Sequence, residues 1–83
     1  MHDTRTELMT ILAENASLLA DGLEEGLIGW TYNQGHVIAI YDYDKCVQAL
    51  MKDMTEEEAY EWMEYNVVGS YMGEKTPLFI HLA

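Results

Sequence analysis

The stretch from Thr55 to Pro77, TEEEAYEWMEYNVVGSYMGEKTP, leaves the chain little choice but a capped amphipathic helix closed by a turn. Thr55 with Glu58 gives the T-x-x-E capping-box pattern. Glu56, Glu57 and Glu58 fall in the first turn, where the helix dipole favours negative charge. Ala59, Trp62, Met63, Asn66, Val67 and Ser70 recur at helical spacing and mark one face. Glu57, Glu61 and Glu64 mark another. No basic residue lies between Asp53 and Gly73, so this acidic stripe has no partner within the helix. Like charges four apart cost roughly 0.2–0.5 kcal/mol per pair, so an unneutralised stripe is mildly destabilising unless something else uses it. Gly73 is expected to end the helix. Gly69 is a poor helix former that either permits close packing on a sheet or marks the true helix end. Asn66 is expected to bond the backbone of the last strand.

The rest of the chain follows in simple segments. Thr4 with Glu7 makes another capping box, and Leu8, Ile11, Leu12, Ala16 and Leu19 share a face, which predicts a first helix ending near Ala20. Asp21-Gly22 is a breaker, and Leu23 to Gly26 is a connector with room for one helical turn. Leu27 to Tyr32 and His36 to Tyr41 read as strands, joined by a short hairpin loop at Asn33-Gln34-Gly35. Both faces of the second strand are apolar, which suits a central strand. Asp42 is the N-cap of a second helix from Tyr43 to Lys52, with Tyr43, Val47, Leu50 and Met54 on its apolar face and Cys46 and Met51 beside it. Thr76-Pro77 leads into a last short strand, Leu78 to Leu82. The order is α-β-β-α-α-β, and the fold class is α+β: residues 1–83 as a single domain, with a three-stranded, mostly antiparallel sheet packed by helices.

Charge narrows the function. Four basic against fifteen acidic residues give a formal charge of −11. Nucleic-acid phosphates need Lys and Arg, so direct nucleic-acid binding is not expected. An anionic membrane surface is excluded on the same ground, and no apolar run is long enough to span a bilayer. Attraction to a basic protein surface is favoured. A single cysteine, Cys46, makes no internal disulfide and suits a reducing cytoplasm, and no signal-peptide pattern opens the sequence.

The chemistry-bearing residues are each weighed against an ordinary role. Asp42 and Asp44 offer two carboxylates to a hard cation such as Mg²⁺, but an N-cap and a first-turn acid account for both. His2, His36 and His81 lack metal-ligand spacing, although His36 and His81 can meet in the sheet. Cys46 on an amphipathic helix reads as core rather than nucleophile. No phosphate-binding loop and no G-x-S-x-G are present, so no catalytic residue, metal or cofactor is expected. Tyr60 and Tyr65 lie off the apolar face, among the glutamates, and are the aromatic residues best placed to anchor an interface.

From Leu27 onward the chain resembles a family of small uncharacterised proteins encoded mainly by tailed bacteriophages. The resemblance is carried by Tyr41-Asp42-Tyr43-Asp44-Lys45-Cys46, Leu50-Met51, Met54-Thr55-x-Glu57-Glu58-Ala59-x-Glu61-Trp62 and the run from Tyr65 to Gly73-Glu74-x-Thr76-Pro77. It covers about the last two thirds of the chain and transfers no activity. It implies a phage accessory protein acting in the cytoplasm of a bacterial host cell.

Together these readings lead to an expectation. The chain is a non-enzymatic acidic protein that binds and modulates a bacterial host protein through Glu57, Tyr60, Glu61, Glu64 and Tyr65. The target would be a defence or nucleic-acid enzyme with a basic surface, met in the manner of a nucleic-acid mimic. The alternative is a self-associating domain that binds or sequesters a small ligand such as a nucleotide.

Overall fold

A computed structural model describes residues 4–68 and 73–82. Helix α1 spans Thr4–Glu14, strand β1 Leu27–Asn33, strand β2 His36–Asp42, helix α2 Tyr43–Leu50, helix α3 Glu56–Met63 and strand β3 Leu78–Ile80. A 3-10 turn, Glu24–Gly26, precedes β1, and one turn of π-helix, Glu64–Val68, continues α3. The element order is the one expected, and the fold is α+β.

The sheet order is β1-β2-β3, with β2 in the centre. β1 and β2 are antiparallel, joined by a two-residue turn in which Gln34 and Gly35 both have positive φ (52° and 82°). That backbone matches the twist of the strands it connects, and glycine adopts it without steric cost. β3 joins β2 in parallel, with Tyr41 opposite Phe79. The sheet is therefore mixed. Its parallel ladder is the short one, and the reason is the connection: α2 and α3 form a crossover that returns the chain to the same end of β2.

β2 is apolar on both faces because both faces are covered. Val37, Ala39 and Tyr41 face the helices and join Leu8, Leu12, Leu27, Val47, Ala59 and Met63 in one core. Ile38, on the opposite face, is fully buried too. Tyr41 is the largest fully buried side chain. Its ring stacks on Phe79 at 5.1 Å, and its hydroxyl oxygen accepts the Ala20 N–H at 2.8 Å. Gly26 has no room for a side chain, because a Cβ there would lie 2.4 Å from Cys46 Sγ. The 3-10 turn thus lies directly on the first turns of α2. Cys46 is fully buried, as a core residue should be, whereas Met51 is exposed.

Several boundaries differ from expectation. α1 stops at Glu14 rather than near Ala20, because Ala16 adopts a left-handed conformation (φ 52°). The Ser17 N–H reaches the Leu12 carbonyl at 2.9 Å and the Ala16 N–H reaches Ala13 at 3.1 Å, the two bonds of a Schellman cap. Lys75 Nζ donates to the Asn15 carbonyl at 3.2 Å and satisfies the same helix end from far along the chain. α2 ends at Leu50, ahead of Lys52. α3 was expected to reach Gly73 as a regular helix; it widens into the π turn after Met63. Gly73 (φ 95°) instead opens a turn whose carbonyl accepts from the Thr76 N–H and hydroxyl. Gly69, Ser70 and Tyr71 lie outside the described residues.

Candidate protein-binding face

The face is built on the N-terminus of α3. Thr55 caps the helix with the full reciprocal box: its hydroxyl accepts the Glu58 N–H at 3.2 Å, and Glu58 Oε1 accepts the Thr55 N–H at 3.0 Å. The bond from the Thr55 backbone N–H, and after it an interaction of the carboxylate with the Thr55 side chain, hold the Glu58 carboxyl below the usual carboxylate range. Ala59 and Met63 are fully buried beneath the helix, which fixes the rotation of α3 about its axis. Glu57, Tyr60, Glu61, Glu64 and Tyr65 therefore all turn to solvent.

Tyr60, Glu61, Glu64 and Tyr65 together line one shallow depression. Glu57 stands one turn earlier, outside it. Five expected contact residues thus occupy one continuous side of α3 and its π turn. Tyr65 is 88 % exposed, the largest apolar exposure among the described residues. Tyr60 is held instead: its ring stacks against Tyr43 at 6.2 Å with 26° between planes.

The three glutamates of the stripe are not equivalent. Glu57 and Glu61 have no ion-pair or hydrogen-bond partner among the described residues. Glu64 accepts a hydrogen bond from the Tyr43 hydroxyl at 3.0 Å. Burial, reinforced by that carboxylate, pushes the Tyr43 phenol up to about 12. Sequence spacing gives no sign of this bond, since the partners lie 21 residues apart on different helices.

Three of the chain's four basic side chains are used elsewhere. Arg5 donates to the carbonyls of Leu27 and Glu24, Lys75 to those of Asn15 and Ala16, and Lys52 pairs with Glu25. These three side chains serve a helix end and the segment around the 3-10 turn.

Asp42 and Asp44 do not converge. Asp42 Oδ1 accepts the Asp44 and Lys45 N–H groups at 3.0 and 3.3 Å, so it serves as the α2 cap. Asp44 points to His81, with Oδ1 3.7 Å from Nδ1. His81 also lies against the Tyr43 ring at 4.5 Å, while His36 bonds Glu74 at 2.7 Å, so the two histidines do not meet each other. No group of three or more His, Cys, Asp and Glu is arranged to hold an ion among the described residues. Among the described residues the core around Cys46 contains no histidine, and burial raises its thiol to about 11, away from nucleophile chemistry. Asn66 does not reach β3; its amide donates to the Trp62 carbonyl at 3.1 Å, one turn back.

A separate cavity of about 180 Å³ opens between Leu19–Leu23, Trp62 and Val67 of α3 and its π turn, and Pro77 and Phe79. Its lining contains Asp21 but no Lys, Arg or His.

No helix among the described residues is long and apolar enough to cross a membrane. No protein-family model matches the chain, and neither a curated protein nor a solved structure matches it.

Proposed function

We propose that the chain is a non-enzymatic acidic binding protein that docks on a basic protein surface through Glu57, Tyr60, Glu61, Glu64 and Tyr65. The observation that carries this reading is one depression that combines an almost fully exposed tyrosine with carboxylates and whose lining is Tyr60, Glu61, Glu64 and Tyr65. Interfaces of this kind draw affinity from a few aromatic anchors and on-rate from charge. A phage accessory protein that inhibits a bacterial defence or nucleic-acid enzyme in the host cytoplasm suits both the charge and the phage-like sequence pattern. A carboxylate row can occupy a groove that otherwise receives phosphates.

The test is capture from a bacterial lysate with three baits: wild type, Glu57→Lys/Glu61→Lys, and Tyr65→Ala. The reading requires a stoichiometric partner that is lost at high salt, lost with the lysine pair and weakened with Tyr65→Ala. A partner retained equally by all three baits at high salt would remove this face from the function.

The second reading, a self-associating domain that sequesters a small ligand, is favoured by the cavity beside Trp62. Without a basic lining residue that cavity suits a neutral or cationic ligand better than a nucleotide. Native mass spectrometry of freshly purified protein distinguishes the readings, since a retained small molecule belongs only to the second.

A further inference from the structure

The two free edges of the sheet are built differently. β3 is three residues long and follows Lys75 and Pro77, which are common ways to blunt an edge. β1 is seven residues long, and no Asp, Glu, Lys or Arg occurs anywhere from Leu27 to Tyr41. In a chain of formal charge −11 this is an unusual stretch to leave at an edge. A bulge at Ile28 disturbs the start of β1, but the register is regular from Gly29 to Asn33.

That register says which main-chain groups face outward. The two-residue turn makes Asn33–His36 a hydrogen-bonded pair. Pairs alternate along an antiparallel ladder, so Tyr32–Val37 and Trp30–Ala39 are non-hydrogen-bonded pairs. The N–H and C=O groups of Trp30 and Tyr32 therefore point away from β2, and among the described residues β1 pairs in the sheet with β2 alone. Tyr32 is 69 % exposed, and its ring meets that of Trp30 edge to face at 5.1 Å.

We propose that β1 pairs antiparallel with β1 of a second copy, centred on Thr31. Each Trp30 then stands opposite the other copy's Tyr32, and each such pair exchanges both of its outward main-chain bonds. The arrangement is isologous, because the same two residues supply both halves. Trp30 and Tyr32 meet across the seam on one face, a favourable cross-strand pairing. The occupant is another copy because two chains of this charge approach most easily along a strand that itself carries no carboxylate, and β1 lies in the stretch Leu27–Tyr41, which has none. A basic partner is drawn to α3 instead. The result joins two sheets through their central seam and leaves both acidic faces available.

Sedimentation equilibrium across a wide concentration range tests the pairing. The expected mass tends to twice 9.5 kDa. Raising salt should tighten the dimer severalfold, because screening relieves repulsion between like-charged copies. Docking through α3 has the opposite salt dependence, so failure of one idea is distinguishable from failure of the other. Tyr32→Lys should weaken association by about tenfold or more. Hydrogen exchange on wild type supplies a readout that needs no variant. On association the Trp30 and Tyr32 amides should gain protection while the Thr31 amide, already bonded within the hairpin, stays unchanged. A 9.5 kDa particle at every concentration overturns the proposal. So does a dimer that salt dissociates, or one whose protection falls on other residues.

Discussion

The α3 helix and the β1–β2 hairpin are opposites in charge and in packing. α3 and its π turn carry carboxylates with no lysine or arginine among them, and among the described residues only Ala59 and Met63 are fully buried beneath the helix. The hairpin carries no Asp, Glu, Lys or Arg before Asp42, and its second strand has fully buried residues on both faces, Ala39 on one and Ile38 on the other. The difference teaches how a small acidic chain stays folded. A core this size stabilises the molecule by only a modest margin, so repulsion has to be kept away from it. Here five of the fifteen carboxylates stand on α3 and its π turn, while the hairpin strands carry none before Asp42.

The largest effect should come from the hairpin. Tyr41→Ala removes the biggest buried ring and its stack on Phe79, and leaves the Ala20 N–H unpaired. It should cost about 3–5 kcal/mol by urea denaturation. A cost no greater than that of surface changes on α3 would break the contrast between the two regions.

Tyr43 joins them, and its effect should be smaller. Tyr43→Phe removes the bond to Glu64 and should cost about 0.5–1.5 kcal/mol. The pH dependence has a definite sign. The phenol lies at about 12 in the folded protein against an ordinary 10.0, so folding favours its protonated form. Its contribution is complete below about pH 10 and is lost as pH rises towards 12. Alkaline unfolding followed by circular dichroism, alongside tyrosinate absorbance, should show a shallower loss for Tyr43→Phe than for wild type.

Outside both regions, Ala16→Gly is a control on the backbone alone. Ala16 holds a left-handed conformation that glycine adopts freely. Thermal melting should show a gain of about 0.5–1 kcal/mol. The smallest effect belongs to Glu57→Lys/Glu61→Lys. These side chains are exposed and unpaired, so stability should change by less than about 0.5 kcal/mol while docking is lost. Glu64→Lys, by contrast, should destabilise through Tyr43. A stability loss from the Glu57/Glu61 pair as large as that from Glu64 would show that the whole stripe supports the fold.

Much of this was readable from local pattern. The capping box at Thr55 and the cap at Asp42 are short-range devices, and each lies where its residues predict; the hairpin loop expected at Asn33-Gln34-Gly35 is a two-residue turn at Gln34-Gly35, with Asn33 in β1. Tyr60, Glu61, Glu64 and Tyr65 were legible as one side because helical spacing is itself short-range. The errors have distant causes. α1 ends early through an Ala in a place where Gly is the usual marker, assisted by a lysine some sixty residues on. The parallel placement of β3 depends on how two helices cross the sheet, which no window of sequence contains. The bond that sets Glu64 apart from Glu57 and Glu61 likewise links two helices, and spacing within α3 is silent about it.

One buried contact has a practical consequence. Gly26 presses on the Cys46 sulfur, which is shut from solvent and kept protonated with a pKa of about 11. The molecule therefore carries a single silent label site at its centre. At neutral pH a thiol reagent can modify it only when the 3-10 turn and α2 come apart, so the labelling rate is a clock on the opening of the core. That clock needs no engineered cysteine, and binding at α3 or pairing at β1 should each slow it by the free energy that the complex adds to the closed state.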